Sequence, residues 1–180
     1  VYSKVHPAVR AASWLKSNAQ PDAIVLKEHW EESLPGLDQF QWRELLMYEP
    51  DSRFKFSKIT QQLAAADFLV FYSHRMYANL PRLSERYPAS TEYYNLLFSG
   101  RLGYELVEFE TSYPRLWGIS FTDDTFNRPN IPIPRGLEFH RPSPVTINLG
   151  FADESFTVYD HPKVLIFRNV ERFDSLTMFG

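Results

Sequence analysis

The run "DFLVFYS", residues 67 to 73, is apolar at nearly every position, so it has no face to offer to water. Such a strand is stable only when both faces are covered, as at the centre of a parallel sheet between helical layers. Immediately before it, "FKFSKITQQLAAA" places Phe56, Ile59, Leu63 and Ala66 at helical spacing. A helix that feeds directly into a fully buried strand is an α/β signature.

The rest of the chain fits that frame. "HPAVRAASWLKSN" reads as a helix with Pro7 in its first turn and Val5, Ala8, Val9, Ala12 and Leu15 on one face. "AIVLKE" follows the "QPD" break as a short buried strand, and "QWRELLMYE", 41 to 49, is a second strand. "HRMYANLPRLSERYP" is irregular and interrupted by proline. "STEYYNLLFSG" is a helix with Ser90 or Thr91 as N-cap and Gly100 at C′, its tyrosines read as core. "GYELVEFE" and "RLWGISF" read as strands. Residues 122 to 154 show no periodicity and carry five prolines, which marks a long loop. "SFTVYDHPKVLIFRN" alternates on either side of "DHP" and closes the chain as an antiparallel hairpin.

The expected architecture is one α/β domain over 1–180, a small three-layer sandwich with a mixed, partly parallel sheet. Residues 24 to 28 and 67 to 72 are expected as adjacent parallel strands. The terminal hairpin is expected to pair with the strand at 103 to 111, with "RLWGISF" as competitor for that edge.

Charge narrows the function. The net charge is −3, and no long basic stretch exists to neutralise phosphates, so nucleic acid is not an expected partner. With no cysteine there is neither a disulfide framework nor a thiolate metal site. Aromatic residues make up 16% of the chain, enough for rings to reach the surface as well as the core. No apolar run approaches the ~20 residues needed to span a bilayer, and no signal peptide is expected ahead of the first helix. Val1 in place of Met leads us to expect a piece of a longer protein.

Ligands in open α/β sheets gather beyond the carboxyl ends of the parallel strands. Two polar segments fall there: "EHWEES" after the first strand and "SHRMYANLPR" after "DFLVFY". His29, Trp30, Glu31 and Glu32 are therefore expected to face His74, Arg75 and Tyr77 across one crevice. An indole beside hydrogen-bonding groups suits a sugar or sugar phosphate. The competing expectation is that Trp30 packs under a loop while the acids face water. Without HExxH or similar spacing no metal is expected, without G-x-S-x-G no serine hydrolase, and "GRLG" is too short a fingerprint for a nucleotide cofactor.

"ADFLVFYSHRMYANLPRLSERYPASTEYYNLLFSGRLGYELVEFETSYPRL" and "ADESFTVYDHPKVLIFR", residues 66 to 116 and 152 to 168, resemble the hydrophilic C-terminal region of the Chlor_Arch_YYY family. These are large multi-pass membrane proteins grouped with the GT-C glycosyltransferases, which use lipid-phosphate-linked sugars outside the cytoplasm. The opening segment, "AVRAASWLKSNAQPDAIVLKEHWEESLPG", is similar to the helix–strand–Trp-acid element of oligosaccharyltransferases and related mannosyltransferases, where a Trp-Trp-Asp-type motif helps hold the acceptor. Here the matching letters are His29, Trp30 and Glu31, with one Trp missing and Glu in place of Asp. The proline-rich stretch from Thr125 to Phe151 is longer than the family leads one to expect.

The resemblance implies an extracytoplasmic domain of a membrane protein, carrying no catalytic residue of its own and no cofactor. Its expected partners are the transmembrane part of the same polypeptide and a glycan or lipid-linked sugar. A structural interaction module and a self-contained small-molecule enzyme are the alternatives.

Overall fold

In the computed structural model, residues 5–127, 129–140, 145–150 and 162–170 are described. Pro7 opens helix α1 (Pro7–Asn18), where its missing N–H would be unpaired anyway, and the His6 imidazole accepts the Ala8 N–H at 3.2 Å. Its buried stripe is Ala8, Ala11, Ala12 and Leu15, while Val5 and Val9 are exposed, contrary to the expected face. Three alanines let the helix lie close on the sheet, and this rotates both valines to its flank.

Strands β1 (Ile24–Glu28) and β2 (Gln41–Leu45) precede α2 (Arg53–Ala65) and β3 (Phe68–Phe71). The proline-interrupted stretch folds as the single-turn α3 (Arg75–Asn79) and a 3₁₀ turn at Leu80–Leu83. Next come α4 (Pro88–Phe98), β4 (Tyr104–Glu110), β5 (Arg115–Leu116), β6 (Ile119–Thr122), β7 (Thr146–Asn148) and β8 (Val164–Asn169).

The main sheet has the order β2-β1-β3-β8-β4. β1 is parallel to β2 and β3, and β8 runs antiparallel between β3 and β4. Both strand-pairing expectations hold: β1 neighbours β3, and the second arm of the terminal segment pairs with β4. The first arm and the turn of the expected hairpin lie outside the described residues.

Alternation sorts the sheet into two layers. Val25, Phe68, Val70, Val164 and Ile166 pack with α1, whereas Leu26, Leu69, Phe71, Leu165 and Phe167 pack with α2, α3 and α4. The fold is thus an α/β sandwich of three layers around a mixed, partly parallel sheet.

Three local expectations differ. "RLWGISF" is a hairpin rather than one strand, because Trp117 and Gly118 both have positive φ (49° and 82°) and turn the chain between β5 and β6. β6 pairs with β7, drawn from the expected loop, so a second, three-stranded sheet of order β5-β6-β7 takes the competitor away from the main sheet. Helix α4 starts at Pro88 with Tyr87 as N-cap, not at Ser90 or Thr91. Its first turn is capped from a distance: Ala89 and Ser90 N–H donate to Asp51 Oδ2 at 2.8 and 3.0 Å. At its other end, Gly100 (φ 74°) stands at C′, with N–H bonds from Gly100 to Leu97 O and from Arg101 to Leu96 O, a Schellman pair.

Candidate functional site

The rim where β1 and β3 end is built from a four-residue turn. Glu31 N–H donates to Glu28 O at 3.1 Å, so His29 and Trp30 occupy the two corners. Trp30 has φ 72°, a left-handed conformation that costs a bulky side chain roughly 1–2 kcal/mol and that glycine adopts freely. Neighbours hold the turn from both sides. Lys27 Nζ donates to Glu31 O at 2.9 Å, and Ser73 Oγ donates to Glu31 Oε1 at 2.7 Å. The indole is 66% exposed and meets the His29 ring edge-on at 4.9 Å.

Of the expected crevice residues, the structure brings some together and separates others. Glu31 is buried against Ser73, two residues beyond the end of β3, and the Arg75 charge acts on its carboxyl. Burial raises the Glu31 pKa, and the Ser73 hydrogen bond and Arg75 offset this only in part. His29 turns the other way, toward β2, where its Nδ1 lies 2.6 Å from Glu44 Oε2. That contact, helped by Lys27 at 3.2 Å, holds the Glu44 pKa below its usual value. Glu32 is exposed. His74 is buried with its ring 6.4 Å from Tyr77, and Tyr77 is a core residue among Phe71, Phe98 and Phe126. Arg75 is half-buried. Strand adjacency was therefore right, and the two segments interlock through Glu31, with His29 turned to Glu44 and His74 buried beside Tyr77.

Beneath the rim lies a buried polar layer that sequence reading missed. Glu28 is fully buried and accepts the Tyr94 hydroxyl at 2.5 Å. Burial drives its pKa well above the ordinary range against the pull of that hydrogen bond, and Glu31 adds to the rise. A neutral carboxyl is the form that tolerates this setting. Glu28 Oε2 and the Tyr77 and Tyr93 hydroxyls are likewise buried, without a hydrogen-bond partner among the described residues. One signal was available: Glu28 shares the parity of Leu26, so alternation alone aims it at the α4 layer.

Two lysines complete the layer. Lys55 Nζ reaches Met47 O, Glu49 O, Asp51 Oδ1 and Ser90 Oγ within 3.0 Å. Burial works against the Asp51 carboxylate, yet the bonds from Ser90 and Lys55 overcome it and its pKa ends below the usual value. Lys163, also buried, meets Asp123 at 2.6 Å, with Tyr113 under its ammonium. These carboxylates and ammoniums are committed to one another. Among the described residues no group of three His, Asp or Glu side chains is placed to hold a metal ion, and no helix is long and apolar enough to cross a membrane.

No family model, curated protein or solved structure matches this chain.

Proposed function

We propose that the chain is an accessory domain of a membrane-embedded, GT-C-like protein, positioned on the extracytoplasmic face, and that its rim contributes to binding a glycan or acceptor in lipid-linked sugar transfer. The observation that carries this reading is Trp30. A bulky residue is kept in a left-handed corner, pinned from both sides, and still presents its indole to solvent beside the His29 imidazole. Strain retained at an exposed aromatic points to use rather than packing. An indole face stacks on the C–H surface of a pyranose, while His29 and the exposed Glu32 offer hydrogen-bonding groups to its hydroxyls. The wording of residues 66 to 116 and 152 to 168 supports the membrane and sugar-transfer context.

Trp30→Gly separates binding from folding, because glycine suits the left-handed corner better than tryptophan does. The whole chain and this variant would be compared on a glycan array and by calorimetry with a short-chain polyprenyl-phosphate hexose. We expect the wild type to retain one carbohydrate class, and the variant to lose at least about tenfold in affinity, a difference of ~1.4 kcal/mol, with an unchanged melting temperature or a higher one. If neither probe binds, or the variant binds as the wild type does, the rim is not a saccharide surface.

A further inference from the structure

The turn that presents Trp30 closes over two buried acids. Glu28 ends β1, Glu31 ends the turn, and the Glu31 N–H bond to Glu28 O joins them. The backbone here is lightly held. Register ties β1 to β3 through Val25, Leu26 and Lys27, whereas Glu28 pairs only with Leu45 of the edge strand β2. The His29 N–H donates to Leu45 O at 3.0 Å. Trp30 sits between this bond and the Glu31 bond at φ 72°, so opening the turn relieves strain that closing it must overcome.

What faces the Glu28 carboxyl decides whether it can carry charge. From α4, Tyr94 donates to Oε1 and the buried Tyr93 hydroxyl feels its charge. Tyr77 faces it from α3, with the His74 ring 6.4 Å behind. The turn itself adds Glu31, a like charge. The cation acting on Glu28 is Lys55 of α2, whose ammonium is committed to Asp51, Ser90 and the carbonyls of Met47 and Glu49. Arg75 and Lys27 act on Glu31 instead. Glu28 Oε2 has no hydrogen-bond partner among the described residues. The neutral acid therefore suits this site, while the anion is better served by water. Its shortest route to water is movement of the lightly held end of β1.

We propose that the Glu28–Glu31 turn is a proton-operated catch: the Glu28 proton keeps the end of β1 closed with Trp30 presented, and its loss frees the turn. The catch belongs to this turn and holds whether or not the rim binds a sugar.

The test is amide hydrogen exchange of the whole chain, followed by NMR from about pH 4 to about pH 8 and corrected for the intrinsic pH dependence of exchange. The His29 and Glu31 amides bracket Trp30 and report opening of the turn. Their opening constant should rise about tenfold per pH unit above about 4.3, one proton leaving per opening. The rise should level off once Glu28 ionises in the closed form as well. Dilute urea should leave this exchange unchanged, the mark of a local opening, while Leu69 in β3 should respond as global unfolding does. Glu28→Gln should abolish the rise, and His29→Gln, which removes the neighbouring imidazole, should keep it at the Glu31 amide. Tyr94→Phe deletes a hydrogen bond that favours the ionised form, so the rise should extend to higher pH. The proposal is overturned if the corrected exchange of Glu31 ignores pH, if Glu28→Gln retains the rise, or if His29→Gln abolishes it. It is equally overturned if Glu31 exchanges only together with Leu69. Should Glu28→Gln fail to fold, Tyr94→Phe decides: a rise that ends no higher in pH than in the wild type overturns the catch.

Discussion

Glu28 shows how much one buried carboxyl can shape behaviour. With its folded pKa raised by burial above an unfolded value of about 4.3, the native state holds a proton that the unfolded chain releases. Its contribution is fully present below the unfolded pKa and is lost as pH rises through the folded one. Glu31, also raised, adds a slope of the same sign. Thermal melts should therefore show stability falling as pH climbs from about 4.3. Glu28→Gln should flatten much of that fall while keeping an oxygen for the Tyr94 hydroxyl. A slope left unchanged in the variant would mean that Glu28 is ionised in the fold.

Among the elements, α4 depends most on a residue outside itself. Asp51 caps its first turn from 38 residues away and neutralises Lys55, whose side chain is 1% exposed. Removing the carboxylate deletes the cap, worth about 1 kcal/mol, and leaves a buried ammonium short of its counter-charge, a loss of about 3–5 kcal/mol. Asp51→Ala should accordingly lower the stability measured by urea denaturation by at least ~3 kcal/mol. Adding Lys55→Met should recover part of that loss, because the stranded charge is then gone. A double variant no more stable than Asp51→Ala would show that the cap, not the ion pair, carries the energy.

Across the whole molecule, stability should be graded from the middle of the sheet outward. β3 and the first four residues of β8 are buried at every position, with strands on both sides and helices on both faces. β2 is an edge strand with one buried residue in five, and β7 is exposed throughout. Hydrogen exchange should find the amides of Leu69, Val70 and Ile166 opening only with global unfolding. Those of β2 and of the second sheet should exchange orders of magnitude faster through local opening. Equal protection in β7 and β3 would contradict this layering.

The apolar runs at Phe68–Phe71 and Val164–Phe167 required two covering layers, and this was legible residue by residue because such strands cannot face water. So were α1, α2 and α4, from apolar periodicity, and the parallel pairing of β1 with β3, from the crossover helix between them. Tertiary structure alone decided what became of the polar residues. Glu28 is answered by Tyr94, Asp51 by Ser90, Lys163 by Asp123 and His29 by Glu44, each partner lying 15 to 66 residues away. Local periodicity states only that a side chain points inward or outward. The group that receives it is set by register and by which helix covers that strand, so the cluster "EHWEE" separated into two buried acids, a paired imidazole, an exposed indole and an exposed acid only once the layers had closed around it.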